Sequence, residues 1–238
     1  MNDIPKHIAV IPDGNRRYAK KYNLPIYEAY KIGSEKTLEF LNWCMEFGIK
    51  VVTFFVISYD NFLKRSKEDV DAVLRLLREK LKKIREYKNI IEDKVKIKII
   101  GRTHLLPDDI QKEIKLVEDL TKNNSRYYLN LAVVYGSRQE IIDGIKRLFE
   151  DFKKGIIDIN NLDESLFMRY LYFGDEIPYP EPDLIIRTSG EYRISNYLLY
   201  QSAYSELYFI EKYWPEITKE DFINAIEWYK KRERRFGK

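Results

Sequence analysis

The sequence predicts an α/β fold: one domain over residues 1–238, built on a mainly parallel central sheet of about six strands with helices on both faces. Three observations predict it. Short apolar runs rich in β-branched and aromatic residues alternate with amphipathic stretches of helical length, the order that parallel strands and crossover helices require. A chain of 238 residues fits one such domain, and 45% hydrophobic content is enough to fill its core. No internal repeat, low-complexity tract or linker divides it.

The elements follow in order. His7 to Pro12 (HIAVIP) reads as a buried strand, Tyr27 to Phe47 as a helix, and Lys50 to Ser58 (KVVTFFVIS) as a second strand. Ser66-Lys-Glu-Asp69 resembles a capping box; Val70, Val73, Leu74, Leu77, Leu81 and Ile84 then mark one face of a helix whose other face is Lys, Arg and Glu. Val95 to Ile100 is a third strand, and Pro107 begins a helix through about Leu120. Arg126 to Tyr135 is a fourth strand, with a helix from Arg138 to Phe152 behind it. A helix around Glu164 to Leu171 precedes a Pro-broken connection, Ile177 to Pro182. Asp183 to Arg187 (DLIIR) is a fifth strand, Glu206 to Ile210 a sixth, and Thr218 to Arg235 the last helix. Open parallel sheets bind ligands beyond the carboxyl ends of their strands, so the polar clusters that follow the strands are the candidate sites.

Composition narrows the function classes. Cys44 is the only cysteine, which rules out an internal disulfide and favours a cytoplasmic setting. With two histidines, His7 and His104, it cannot build a Cys/His zinc site. The start, MNDIPKH, lacks the apolar stretch of a signal peptide, and the longest apolar runs, around Val51 to Ile57, are far too short to span a membrane. The formal charge of +4 is small against 42 basic and 38 acidic residues, so the placement of the basic residues matters more than their excess.

Two clusters stand out. Asp13-Gly14-Asn15-Arg16-Arg17 follows the first strand, with Lys20 and Lys21 close behind. Gly14 would let backbone amides approach a ligand, and cations at a helix start oppose the helix dipole unless an anion such as a diphosphate binds there. Asp13 would then be a hard oxygen ligand for Mg²⁺ bridging phosphate oxygens. The same residues also fit a plain turn in which Asp13 caps a helix and the cations face water. The second cluster, Arg187-Thr-Ser-Gly-Glu191-Tyr-Arg193-Ile-Ser195-Asn196, puts two guanidiniums and several hydroxyls around Gly190, a composition suited to clamping phosphate. Its alternative is ordinary ion pairing of the arginines with Glu181, Asp183 or Glu191. The spacing of a P-loop is absent.

Taken together, these stretches resemble the cis-prenyltransferases, the family of undecaprenyl and dehydrodolichyl diphosphate synthases. HIAVIPDGNRRYAKK is similar to that family's opening motif and PDLIIRTSGEYRISNYLLYQSAYSELYF to its closing one. Between them Ser58-Tyr-Asp60-Asn61-Phe62 resembles S-x-E-N-[WF], Tyr135-Gly136-Ser137-Arg138 resembles Y-G-G-R, and Arg232 to Gly237 resembles the R-x-R-R-F-G tail. Asp13-Gly-Asn-Arg16-Arg17-Tyr18 is closer to archaeal and eukaryotic members than to bacterial ones. The resemblance implies a Mg²⁺-dependent enzyme that condenses isopentenyl diphosphate with an allylic primer, farnesyl or geranylgeranyl diphosphate, into a long Z-polyprenyl diphosphate that serves as a glycosyl-carrier lipid. By position, Asp13 matches the carboxylate that holds the metal, with Glu206 a second acidic partner. Gly14, Asn15, Arg16 and Arg17 match the allylic diphosphate's surroundings. Arg187, Arg193 and Ser195 match the isopentenyl site, while Ser58 and Asn61 match polar residues near the reacting carbons, Asn61 being a candidate for the proton's removal. The family works as dimers whose tail, here Arg235-Phe236-Gly237, reaches the neighbouring site, and the growing chain occupies an apolar tunnel, expected along Tyr27 to Phe47 and Ser66 to Ile84. Contact with a membrane surface is expected only through the product.

Two departures from the family pattern fall near the allylic site. Ile26 and Tyr30 stand where many members carry an arginine and a histidine, and Phe62-Leu63-Lys64-Arg65 is one residue longer than usual, so Arg65 or Lys64 takes the arginine's place. Three other readings were weighed. The trans-prenyltransferases need a third aspartate that Asp108-Asp109-Ile-Gln-Lys lacks. A non-catalytic partner subunit would shed Asp13 and the phosphate arginines, which are all here. A nucleic-acid binder is suggested by the basic tail and 19 tyrosines, but no nucleic-acid motif accompanies them.

Overall fold

The computed structural model describes residues 4–86 and 92–233. Six strands, β1 (His7–Ile11), β2 (Val51–Ser58), β3 (Val95–Ile100), β4 (Tyr127–Tyr135), β5 (Leu184–Arg187) and β6 (Glu206–Phe209), form one sheet in the order β3-β4-β2-β1-β5-β6. Every pairing is parallel, where the sequence predicted a mainly parallel sheet. Eight α-helices lie among the described residues: α1 (Asn15–Lys21), α2 (Ile26–Glu46), α3 (Tyr59–Lys64), α4 (Lys67–Lys83), α5 (Asp108–Thr121), α6 (Ser137–Lys153), α7 (Glu164–Arg169) and α8 (Lys219–Lys230).

Alternate strand residues feed two cores, as sheet geometry demands. On one face Ile8, Val10, Phe54, Leu129 and Ile186 pack with Phe40 of α2, Leu77 of α4, Ile114 of α5 and Phe222 of α8. On the other Ala9, Ile11, Phe55, Ala132 and Ile185 meet Phe173, Ile177, Tyr197 and Leu198. Burial on both faces is why these strands read as unbroken apolar runs.

Local chemistry sets the ends of the helices. Ser66 caps α4, its hydroxyl accepting from Asp69 N at 3.2 Å. The return half of the expected box is not formed, since the Asp69 carboxylate lies 3.7 Å from Arg16 instead. Thr218 and Asp221 close a reciprocal box on α8. That helix stops at Lys230 rather than Arg235.

Candidate active site

Leaving β1, the chain builds β2 on one side of it and β5 on the other, so the carboxyl end of β1 is a point where the winding of the sheet changes direction. A cavity of about 900 Å³ opens there, walled by 11–17, 55–58 and residues of 187–196. Seven cationic side chains and three carboxylates line it, Asp13, Asp60 and Glu191 being the acids. The wall therefore carries four more cations than carboxylates, a local field that favours an anion.

Asp13 is the hub of the polar wall. Its Oδ1 accepts from Gly14 N at 2.7 Å, and its Oδ2 accepts from Arg187 Nη2 at 2.8 Å. Thr188 donates its hydroxyl to Asp13 O at 2.7 Å, fastening the opening loop to the late arginine segment although 175 positions separate them. Gly14 is the N-cap of α1 at φ 106°, a conformation suited to glycine, and a Cβ there would fall 2.8 Å from Tyr213 and 3.0 Å from Ser189. Its bareness therefore serves packing against the protein, while its backbone lines the cavity. One turn into α1, Arg17 donates to Ser189 Oγ at 2.6 Å and pairs with Glu191 at 3.0 Å. Asn15 is tucked against α2, where only a glycine fits: a Cβ on Gly33 would lie 2.2 Å from Asn15 Oδ1.

The second cluster is bound to the first through Arg187. This guanidinium is 4% exposed and donates to Ser195 Oγ at 2.7 Å, to the Arg193 carbonyl and to Asp13. Arg193 is exposed and pairs with Glu191, one of the three carboxylates the sequence offered for ion pairing. Four non-glycine residues of the segment, Ser189, Ser195, Asn196 and Leu198, take positive φ. Such backbone is costly and persists because its surroundings hold it; Ser137 N and Arg138 N bond Asn196 through its carbonyl and side-chain oxygens at 2.8 and 2.9 Å.

The third wall comes from the end of β2. The β2–β4 register slips between Phe55 and Ile57 and again before Ser58, leaving Val56 and Val134 outside the paired positions, with Val134 at φ 49°. Bulges of this kind re-aim side chains beside sites. Ser58 then caps α3 by accepting from Asn61 N at 3.0 Å, and Ser58, Asn61 and Arg65 all line the cavity. Arg65 donates to the Tyr30 hydroxyl at 2.9 Å. Behind this wall a smaller hollow of about 160 Å³, lined by Leu38, Val73, Leu76, Leu77, Ile84 and Leu131 among others, runs between α2, α4 and the sheet. Pro12, Asn15, Tyr30 and Val56 border both spaces.

The structure thus brings Asp13, Gly14, Asn15, Arg16, Arg17, Ser58, Asn61, Arg65, Arg187, Arg193 and Ser195 to one cavity. Glu206 is a correction. It pairs in register with Leu184 at the amino end of the sheet, whereas Arg187 and Ile11 mark the carboxyl end, and it faces Arg232 at 3.3 Å. At roughly 3.3 Å per strand residue it lies about 10 Å away along the sheet, so it does not share an ion with Asp13 of the same chain. Arg235 and Gly237 lie outside the described residues. Tyr30, Val56, Lys20 and Arg138 were given no role by sequence, although Arg138 ends the Y-G-S-R motif. No cluster of three His, Cys, Asp or Glu side chains exists among the described residues to cage a metal. Asp13 nonetheless suits Mg²⁺, which takes one or two carboxylates and completes its shell with phosphate oxygens and water.

The family profile described as "Putative undecaprenyl diphosphate synthase" matches residues 11–237. A tritrans,polycis-undecaprenyl-diphosphate synthase (geranylgeranyl-diphosphate specific) from Thermoplasma volcanium is 48% identical over 98% of this chain and 89% of its own. An enzyme of the same name from Methanocaldococcus jannaschii is 45% identical over 100% of this chain and 84% of its own. The crystal structure of lavandulyl diphosphate synthase from Lavandula x intermedia, in complex with dimethylallyl diphosphate, superposes with a TM-score of 0.93 at 30% identity, covering all of both chains.

Proposed function

The chain belongs to the undecaprenyl diphosphate synthase family of cis-prenyltransferases and is a prenyl-transferring enzyme, and from that premise we propose that it extends geranylgeranyl diphosphate with isopentenyl diphosphate to a long Z-polyprenyl diphosphate destined for a glycosyl-carrier lipid. One observation carries the proposal: a cationic cavity centred on Asp13 shares a wall with an apolar hollow, so a diphosphate head can be held where the start of a prenyl tail enters the hollow. The choice of primer follows the Thermoplasma and Methanocaldococcus relatives, whose names specify geranylgeranyl diphosphate.

In this reading Asn15, Arg16, Arg17 and Arg65 receive the allylic diphosphate, while Arg187, Arg193 and Ser195 hold the isopentenyl diphosphate. Asp13 holds Mg²⁺, which when bound stabilises negative charge on the departing diphosphate. The allylic C–O bond breaks and its electron pair leaves with the diphosphate. The terminal alkene carbon of the isopentenyl group bonds to the allylic carbon, and a proton is lost as the Z double bond forms. Fixed guanidiniums facing the leaving group stabilise its charge without reorganising, and the reaction needs no covalent nucleophile. Asn61, on the first turn of α3, is placed to direct the proton's departure or the alkene's approach.

We also read the chain as a homodimer. On α6 and just beyond it, Ile142, Ile145, Phe149, Phe152 and Ile156 recur at spacings of three and four, and all five are exposed. A stripe of that periodicity is the seam by which two copies of a helix pair. In the pair, the tails carrying Arg235 and Gly237 would serve the neighbouring sites.

The test is incubation with labelled isopentenyl diphosphate and primers of several lengths, with product size read by chromatography. Wild type is expected to elongate geranylgeranyl diphosphate best, and Asp13→Ala to fold normally while turning over at least about a hundredfold more slowly. Near-normal turnover of Asp13→Ala refutes the assignment of the site.

A further inference from the structure

We propose that Tyr30 is a positioning residue for the allylic substrate: its hydroxyl holds the Arg65 guanidinium at the neck between the cationic cavity and the apolar hollow. The inference deepens the condensation reading above and rests on it. Tyr30 borders both spaces, so a substrate with its head in one and its tail in the other passes this side chain. Ile26, one turn earlier on α2, borders neither. Of the two α2 positions that depart from the family pattern, only Tyr30 faces the site.

The partner chemistry sets this pair apart. Arg16, Arg17, Arg187 and Arg193 each lie within 4 Å of a carboxylate, whereas Arg65 has none among the described residues. Among the described residues the one hydrogen-bond partner of its guanidinium is the Tyr30 hydroxyl, accepting from Nη1 at 2.9 Å. A neutral acceptor fixes the direction of a guanidinium without cancelling its charge, leaving the rest of the planar fork for an anion. Burial raises the phenol pKa, so Tyr30 stays uncharged and does not become an anionic rival to the diphosphate. The isopentenyl group is held by Arg187, Arg193 and Ser195 in the proposed function, so its binding should not feel Tyr30.

Tyr30→Phe keeps the ring and removes only the hydroxyl. We expect it to raise the KM for geranylgeranyl diphosphate about fivefold, the net scale of one ordinary hydrogen bond, because the hydroxyl acts on the substrate only through Arg65. The KM for isopentenyl diphosphate and kcat should stay within about twofold. Calorimetric Kd for geranylgeranyl diphosphate alone should weaken by the same factor. In an Arg65→Ala background, Tyr30→Phe should add nothing, because the hydroxyl acts only through that guanidinium. Unchanged primer binding in Tyr30→Phe, or an equal effect with and without Arg65, overturns the inference. If wild type makes no polyprenyl product, the condensation reading falls instead, and the calorimetric cycle still decides the coupling of Tyr30 to Arg65.

Discussion

Arg187 and Arg193 sit in one loop and carry their charge under different constraints. Arg187 is buried and tied to Asp13, Ser195 and a carbonyl, so truncating it would leave Asp13 without its closest cation and loosen the loop as well. Arg193 is exposed, and its side chain bonds only Glu191 in the structure, which makes it the cleaner probe. Arg193→Ala is expected to raise the KM for isopentenyl diphosphate about tenfold and that for the primer much less, the loss of one charge-assisted contact. Steady-state kinetics with each substrate varied will decide, and the opposite ranking means that the two diphosphate pockets are exchanged. Residues such as Asp13 and Arg187 were legible in the sequence because the one lies just beyond the buried strand β1 and the other ends β5, where a parallel sheet presents its carboxyl edge to ligand. Glu206 was not. It belongs to the same motif, but β6 begins there, and in a parallel strand the first residue lies at the far end of the sheet from the last. Val56 was also hidden, since the register slip that exposes it depends on β4.

Strands announced themselves because both faces of each are covered, and their observed limits differ from the expected ones by a residue or so. The short helix α3 was missed: it follows β2 with no intervening loop, and its start depends on the Ser58 cap. Helices α2 and α4 were legible as amphipathic, but the sequence could not say which apolar side chains fill the core and which border a hollow, because both need the same residue types. The structure shows which of them border the hollow, some of them core residues as well. Leu77 of α4 borders the hollow and is 7% exposed. Leu77→Trp should fill that space and shorten the polyprenyl product by several isoprene units, with little change in the KM for either diphosphate. Chromatography of the products checks this, and an unaltered length distribution removes the hollow from the path of the chain. Leu77→Ala is a poorer probe, because enlarging the cavity costs about 2–5 kcal/mol of stability.

The exposed stripe on α6 shows what a single chain leaves unfinished. Its sequence reads as a helix, yet which face turns outward is settled only when Glu140, Gly144 and Leu148 pack inward. Phe149→Glu places a charge at the middle of the proposed seam and should weaken dimerisation by at least about a hundredfold. Sedimentation would show a shift to monomer, and turnover should fall with it if the neighbouring tail completes the site; a variant that remains dimeric locates the seam elsewhere. No helix among the described residues is long and apolar enough to cross a membrane; in the proposed reaction the room for a prenyl tail is the hollow between α2 and α4. That room is small. An apolar cavity of about 150 Å³ takes one benzene-sized guest, and the space between α2 and α4 is about 160 Å³. In the proposed elongation each added isoprene unit would therefore prise the two helices apart, working like a wedge against elastic resistance, while burial of each CH₂ returns about 0.8 kcal/mol. Elongation would end where the resistance of the wall overtakes that return, making product length a measure of how stiffly one helix is clamped to the other.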